Sequence, residues 1–164
     1  MKTLKTLASV FFAAMMLTLT GCSKDPEDLI IGSWDVTSMI FSISGLPVAE
    51  ENGTYTETFG SEYNQTANLT FNKDGSGTAI STYTENGRTE TETSSFSYTV
   101  DDKKLTITMN GESRGAVYNI DEISKKEITI SASETYSDEY FDEDREEYVS
   151  YTATEKIIIK MKKA

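Results

Sequence analysis

The sequence predicts an all-β domain, with eight antiparallel strands connected up and down and closed into a barrel behind an N-terminal signal helix. Three observations predict it. Apolar and polar residues alternate with a period of two through most of the segment from Gly32 to Met161. Turn pairs such as Asp74-Gly75, Asn86-Gly87 and Asn110-Gly111 separate the runs. No stretch after the leader carries a helical pattern, and Thr, Ser, Tyr and Ile, which suit a pleated and half-buried surface, are abundant.

The leader comes first. Lys2 and Lys5 form a positive start, and Leu7 to Leu19 is an apolar run broken only by Ser9 and Thr18. A bilayer core of about 30 Å needs about 20 apolar residues, so this run is too short to be a stable span and reads as a signal to be cut. Leu19-Thr20-Gly21-Cys22 resembles the lipobox of bacterial lipoproteins. That resemblance implies cleavage before Cys22, a diacylglyceryl thioether on its sulfur and acylation of the new N-terminus. The expected organisation is a signal peptide at 1–21, a polar tether at 22–29 and a barrel domain at 30–164. Pro26 in the tether is expected to stop helix propagation. Ser23 after the lipidated cysteine resembles outer-membrane routing, so the expected place is the outer membrane, lipid-anchored, on its periplasmic or cell-surface face.

The strands follow in order. The first is expected over 32–43, with Trp34, Val36, Ser38 and Ile40 on one face and Asp35, Thr37, Met39 and Phe41 on the other. A loop around Pro47 covers 45–53, and 55–63 has no clear pattern. Further strands are expected over 66–72, 78–84, 88–100, 104–109, 115–123, 127–136 and 148–161. Short links favour antiparallel neighbours, because parallel pairs need long crossovers. Closing the meander removes the open edges that invite aggregation.

Several of these residues match a known pattern. Gly32-Ser33-Trp34, opening the first strand, resembles the Gly-x-Trp signature of lipocalins. Leu69-Thr70-Phe71 with Asp74-Gly75, Phe96 to Val100 with Leu105 to Ile107, and Val117 to Ile123 are similar to segments of lipocalin-like lipoproteins of Gram-negative bacteria. The resemblance implies a lipocalin-like barrel in which Gly32 and Trp34 form the structural signature and Trp34 packs across the closed end. The inward set read from the alternation is Val36, Ile40, Leu69, Phe71, Phe96, Tyr98, Leu105, Ile107, Tyr118, Ile120, Ile128, Ile130, Tyr151, Ile157 and Ile159. Side chains this large predict a mostly filled barrel with any pocket confined to one mouth.

Composition narrows the function. The net charge of −12 becomes −14 once Lys2 and Lys5 leave with the leader, which disfavours nucleic acid. The chain has no histidine and a single cysteine, Cys22, so the usual general base, a thiol nucleophile and the commonest zinc ligand are missing. No catalytic residue, cofactor or metal is expected. The most acidic stretch, Ser137 to Glu147, reads as a solvated loop in preference to a calcium site, because its spacing matches no EF-hand and lacks the central glycine. The expected function is a non-enzymatic binding module held to the membrane through Cys22. Its partner is a small apolar or glycan-type ligand or an envelope protein, and the sequence assigns no ligand-binding residue. A barrel that acts through protein contacts alone is the alternative, and a carboxylate-dependent hydrolase ranks third.

Overall fold

The computed structural model describes residues 25–164. A short helix, α1 (Pro26–Ile30), precedes nine strands: β1 (Gly32–Ser44), β2 (Gly53–Thr58), β3 (Gln65–Phe71), β4 (Ser76–Glu85), β5 (Arg88–Asp101), β6 (Lys104–Met109), β7 (Ala116–Ile123), β8 (Glu127–Asp142) and β9 (Glu147–Lys163). Single 3-10 turns occupy Ala49–Glu51 and Ser61–Tyr63. Pro26 opens α1 instead of preventing it, since the first helical position needs no N–H and favours the φ that proline fixes.

Nine strands fill eight positions. One edge of β1 pairs with β9 from Trp34–Lys163 to Ser44–Thr154. Its other edge is shared: β3 takes Gly32 to Asp35, and β2 takes Ser38 to Ile43. β2 and β3 therefore run in the same direction along one edge, separated by a detour through Phe59 to Asn64. The β1–β9 pairing closes the sheet into an all-antiparallel barrel of eight positions, as the alternation predicted.

β1 departs from the expected facing. A bulge between Val36 and Ser38 shifts its register against β9, so Met39, Phe41 and Ile43 pair with Ile159, Ile157 and Glu155 on the inner face. Ile40, expected inside, pairs with Ile158 on the outer face. One extra residue exchanges the two sides of everything beyond it.

The closed end is densely packed. Trp34, Phe71, Ile30, Leu105, Ile128, Ile130 and Met161 are the largest fully buried side chains. Phe71 meets Phe96 and Tyr98 edge to face, with ring centroids 5.4 and 5.0 Å away. The Tyr98 hydroxyl donates to the Asn72 carbonyl at 2.7 Å. Trp34 Nε1 donates to the Ile30 carbonyl at 2.6 Å, which ties the plug to α1. Lys163 Nζ lies 4.1 Å from the centre of the indole ring and donates to the Ile31 carbonyl at 2.8 Å. Gly32 makes this possible: its φ of +119° suits glycine, and a Cβ there would collide with Lys163 Nζ.

The open end has walls of unequal height. β5 pairs with β6 only from Phe96 to Asp101, β6 pairs with β7 over four positions, and β7 pairs with β8 no further than Ser131. β8 and β9, by contrast, stay paired to Asp142–Glu147 and project as a two-stranded ribbon. The acidic stretch from Ser137 is therefore strand and not loop, apart from a turn at Glu143 to Glu146. Its acids are tolerated because both faces of the ribbon meet water, and among the described residues no three of them converge on a point. Tyr151, expected in the barrel interior, stands on this ribbon with its ring 6.3 Å from that of Tyr140.

Candidate functional site: the barrel mouth

The core does not fill the barrel to its open end. Tyr118 and Ile157 pack on the buried cluster and also line the space above it. Beyond them lies a cavity of about 860 Å³, open at the mouth. That volume falls within the range of about 300–1,000 Å³ typical of small-molecule sites. It sits where the sequence confined any pocket, and it is larger than a mostly filled barrel implied.

Alternation along the strands builds its wall. β1 contributes Phe41 and Ile43, β2 contributes Tyr55, β7 contributes Ala116 and Tyr118, and β8 and β9 contribute Ala132 and Ile157. The bulge in β1 turns Phe41 and Ile43 inward; without it they would face solvent. Small residues at Gly53, Ala116 and Ala132 leave the space that their bulky neighbours do not take.

The rim is polar. The loop between β1 and β2 is held by Asn52, whose amide nitrogen donates to the Leu46 and Val48 carbonyls at 2.9 Å each and whose oxygen accepts from the Leu46 N–H at 2.9 Å. Gly45, at a φ of +86°, lets this loop pass against the backbone of Thr152 on the ribbon. The loop thereby places Glu50 and Glu51 beside the cavity. Across from it, Glu134 and Glu155 are direct cross-strand partners on the inner face. The Tyr136 hydroxyl donates to Glu155 Oε1 at 3.2 Å. Desolvation first, and then the hydrogen bond and charge of Glu155, push that hydroxyl above its ordinary pKa. Burial likewise pushes the Tyr118 hydroxyl up.

Of the residues expected inside the barrel, Tyr118 and Ile157 line this cavity. Trp34 lies at the opposite end, fully buried. Phe41, Ile43, Tyr55, Glu134 and Glu155 are lining residues that the sequence did not disclose. The acids break the inner-face apolar pattern, and Tyr55 falls in the segment without a clear one. Asn72, Asp74 and Ser76 satisfy one another within the β3–β4 turn, where Ser76 Oγ donates to Asp74 Oδ1 at 2.6 Å and keeps that carboxyl below its usual pKa. Cys22 and the lipobox fall outside the described residues. Among the described residues no helix is long and apolar enough to cross a membrane.

Comparison with known proteins places the chain. No curated protein sequence matches it. A solved structure, a deswapped triple mutant of bovine odorant binding protein, aligns over 79% of this chain and 72% of its own, at 14% identity and a TM-score of 0.32. Residues 30–130 match the family described as lipocalin-like domain. That match runs from the last residue of α1 into the first residues of β8, across the plug and the β1, β2 and β7 sides of the mouth, and the chain belongs to the lipocalin-like domain family.

Proposed function

We propose that this protein is a membrane-tethered, non-enzymatic binding module that holds a small, largely apolar molecule in the mouth of its barrel. The observation that carries the reading is the cavity of about 860 Å³, walled by Phe41, Ile43, Tyr55, Tyr118 and Ile157 and open at one end. Apolar surface removed from water there contributes roughly 25 cal/mol per Å², so a ligand of modest size gains useful affinity without covalent chemistry. Glu134 and Glu155 are the pair a hydrolase would need, but both stand exposed and lack the apolar enclosure of a general acid.

Ala132→Trp tests the reading, because an indole at that position fills the cavity from β8. N-phenylnaphthylamine, an uncharged probe that brightens in apolar surroundings, is expected to bind the native protein saturably and the variant at least about tenfold more weakly, a difference of about 1.4 kcal/mol. Circular dichroism checks that the variant is folded. Absence of saturable binding to the native protein, or equal binding by both, would overturn the proposal.

The tether is the second part of the reading. It rests on the apolar leader ending at Gly21-Cys22, on the polar segment that follows, and on the placing of the barrel behind it. Two acyl chains give stable anchoring where one gives only marginal binding. Cys22→Ala is expected to move the protein from the membrane fraction to the soluble pool, or to leave it unprocessed. Tight membrane association of the processed variant would refute the tether, and fractionation of inner and outer membranes checks the routing suggested by Ser23.

A further inference from the structure

We infer that the mouth selects a cationic amphiphile, an alkyl or aryl chain bearing an ammonium head; this rests on the reading of the cavity as a ligand site. The cavity combines two things that a neutral apolar ligand does not need. Four carboxylates, those of Glu50, Glu51, Glu134 and Glu155, border it against one ammonium, that of Lys156. Lys156 pairs with Ser42 and Ser133, so alternation turns its side chain to the outer face of β9, away from Glu155.

Glu134 and Glu155 stand directly opposite each other. Like charges in that arrangement repel. Among the described residues no lysine or arginine forms an ion pair with either of them, and the ion pairs present, Arg88–Glu90 and Arg145–Asp142, lie elsewhere. Among the described residues, the Tyr136 hydroxyl is the single side-chain donor that reaches Glu155. An incoming ammonium supplies the missing positive charge between them.

The second feature is aromatic. Phe41 and Tyr55 are cross-strand partners on β1 and β2, and Tyr118 stands on β7, all three in the wall of the same cavity. Ring faces attract cations at exposed as well as buried sites, and aromatic cages are a recognised way to hold quaternary ammonium groups. The geometry orients the guest. Its tail lies against Ile43, Ala132 and Ile157, and its head stays level with Glu134 and Glu155.

The test uses dodecyltrimethylammonium, dodecanol and dodecanoate, each below its micelle concentration, titrated calorimetrically into the native protein and into the Glu134→Gln/Glu155→Gln double variant. Both glutamates are exposed, so the double variant should fold, and thermal melting checks it. The ammonium is expected to bind native protein about tenfold or more tightly than the alcohol, with dodecanoate weakest and the preference shrinking as salt rises. In the double variant the ammonium should lose most of its advantage over the alcohol. Equal binding of ammonium and alcohol to native protein, or a preference that survives the double substitution, would overturn the inference and leave the cavity reading standing. Failure of all three to bind would overturn both.

Discussion

Trp34→Ala is expected to lower the unfolding free energy by roughly 3–5 kcal/mol, the range for removing a large aromatic from a packed core. Three losses combine. The indole is fully buried, so its removal opens a void in the closed end. The Ile30 carbonyl loses its donor at 2.6 Å, which also releases α1 from the barrel. Lys163 loses the ring beneath its ammonium, whose charged form burial already disfavours. Trp34→Phe separates these contributions, because it keeps much of the volume and an aromatic face while removing the N–H, and it should cost markedly less than the alanine variant. Chemical denaturation measures both. An alanine variant as stable as the native protein would contradict the plug.

The companion expectation concerns Phe71. Phe71→Ala should also cost roughly 3–5 kcal/mol, through a different mechanism. Its ring is 1% exposed and is the hub of the edge-to-face cluster, touching both Phe96 and Tyr98. Pairs of this kind contribute about 0.5–1.5 kcal/mol each beyond the area they bury. Phe96 and Tyr98 lie two residues apart on β5, with centroids 6.5 Å from each other, so without Phe71 they close the gap poorly. The Tyr98 hydroxyl bond to Asn72, which begins the turn after β3, should loosen as well. A melting temperature within a degree or two of the native value would exclude this arrangement. Neither substitution touches the mouth, so probe binding by the folded fraction should persist in both variants.

How far the sequence speaks depends on the contrast between faces. Where one face is dry and the other wet, as in Phe96, Tyr98 and Val100 on β5 or Leu105 and Ile107 on β6, alternation alone placed the strands and their inward residues. In β1 the contrast disappears after Val36. Met39, Ile40 and Phe41 are all apolar, and Ile158 gives Ile40 an apolar neighbour outside, so nothing in the letters marks the bulge that exchanges the two sides. β2 reads Gly-Thr-Tyr-Thr-Glu-Thr, polar on both faces, and gave no signal. The ribbon beyond Ser137 is wet on both faces, which makes a strand look like a loop. The mouth was hidden for a related reason: Glu134 and Glu155 face inward where the interior is open, and a pattern search for buried positions passes over charged residues. The plug was legible through the resemblance of Gly32-Ser33-Trp34 to the Gly-x-Trp signature, not through the alternation alone.

The separation of the two poles has an evolutionary consequence. The buried side chains gather around Trp34 and Phe71, whereas those that line the cavity stand at the far end. Substitutions at the exposed Tyr55, Glu134 or Glu155 are therefore expected to reshape the cavity wall while leaving the scaffold's foldability almost untouched. A lineage built on this plan can diversify its specificities rapidly, one rim residue at a time, behind an unchanging base.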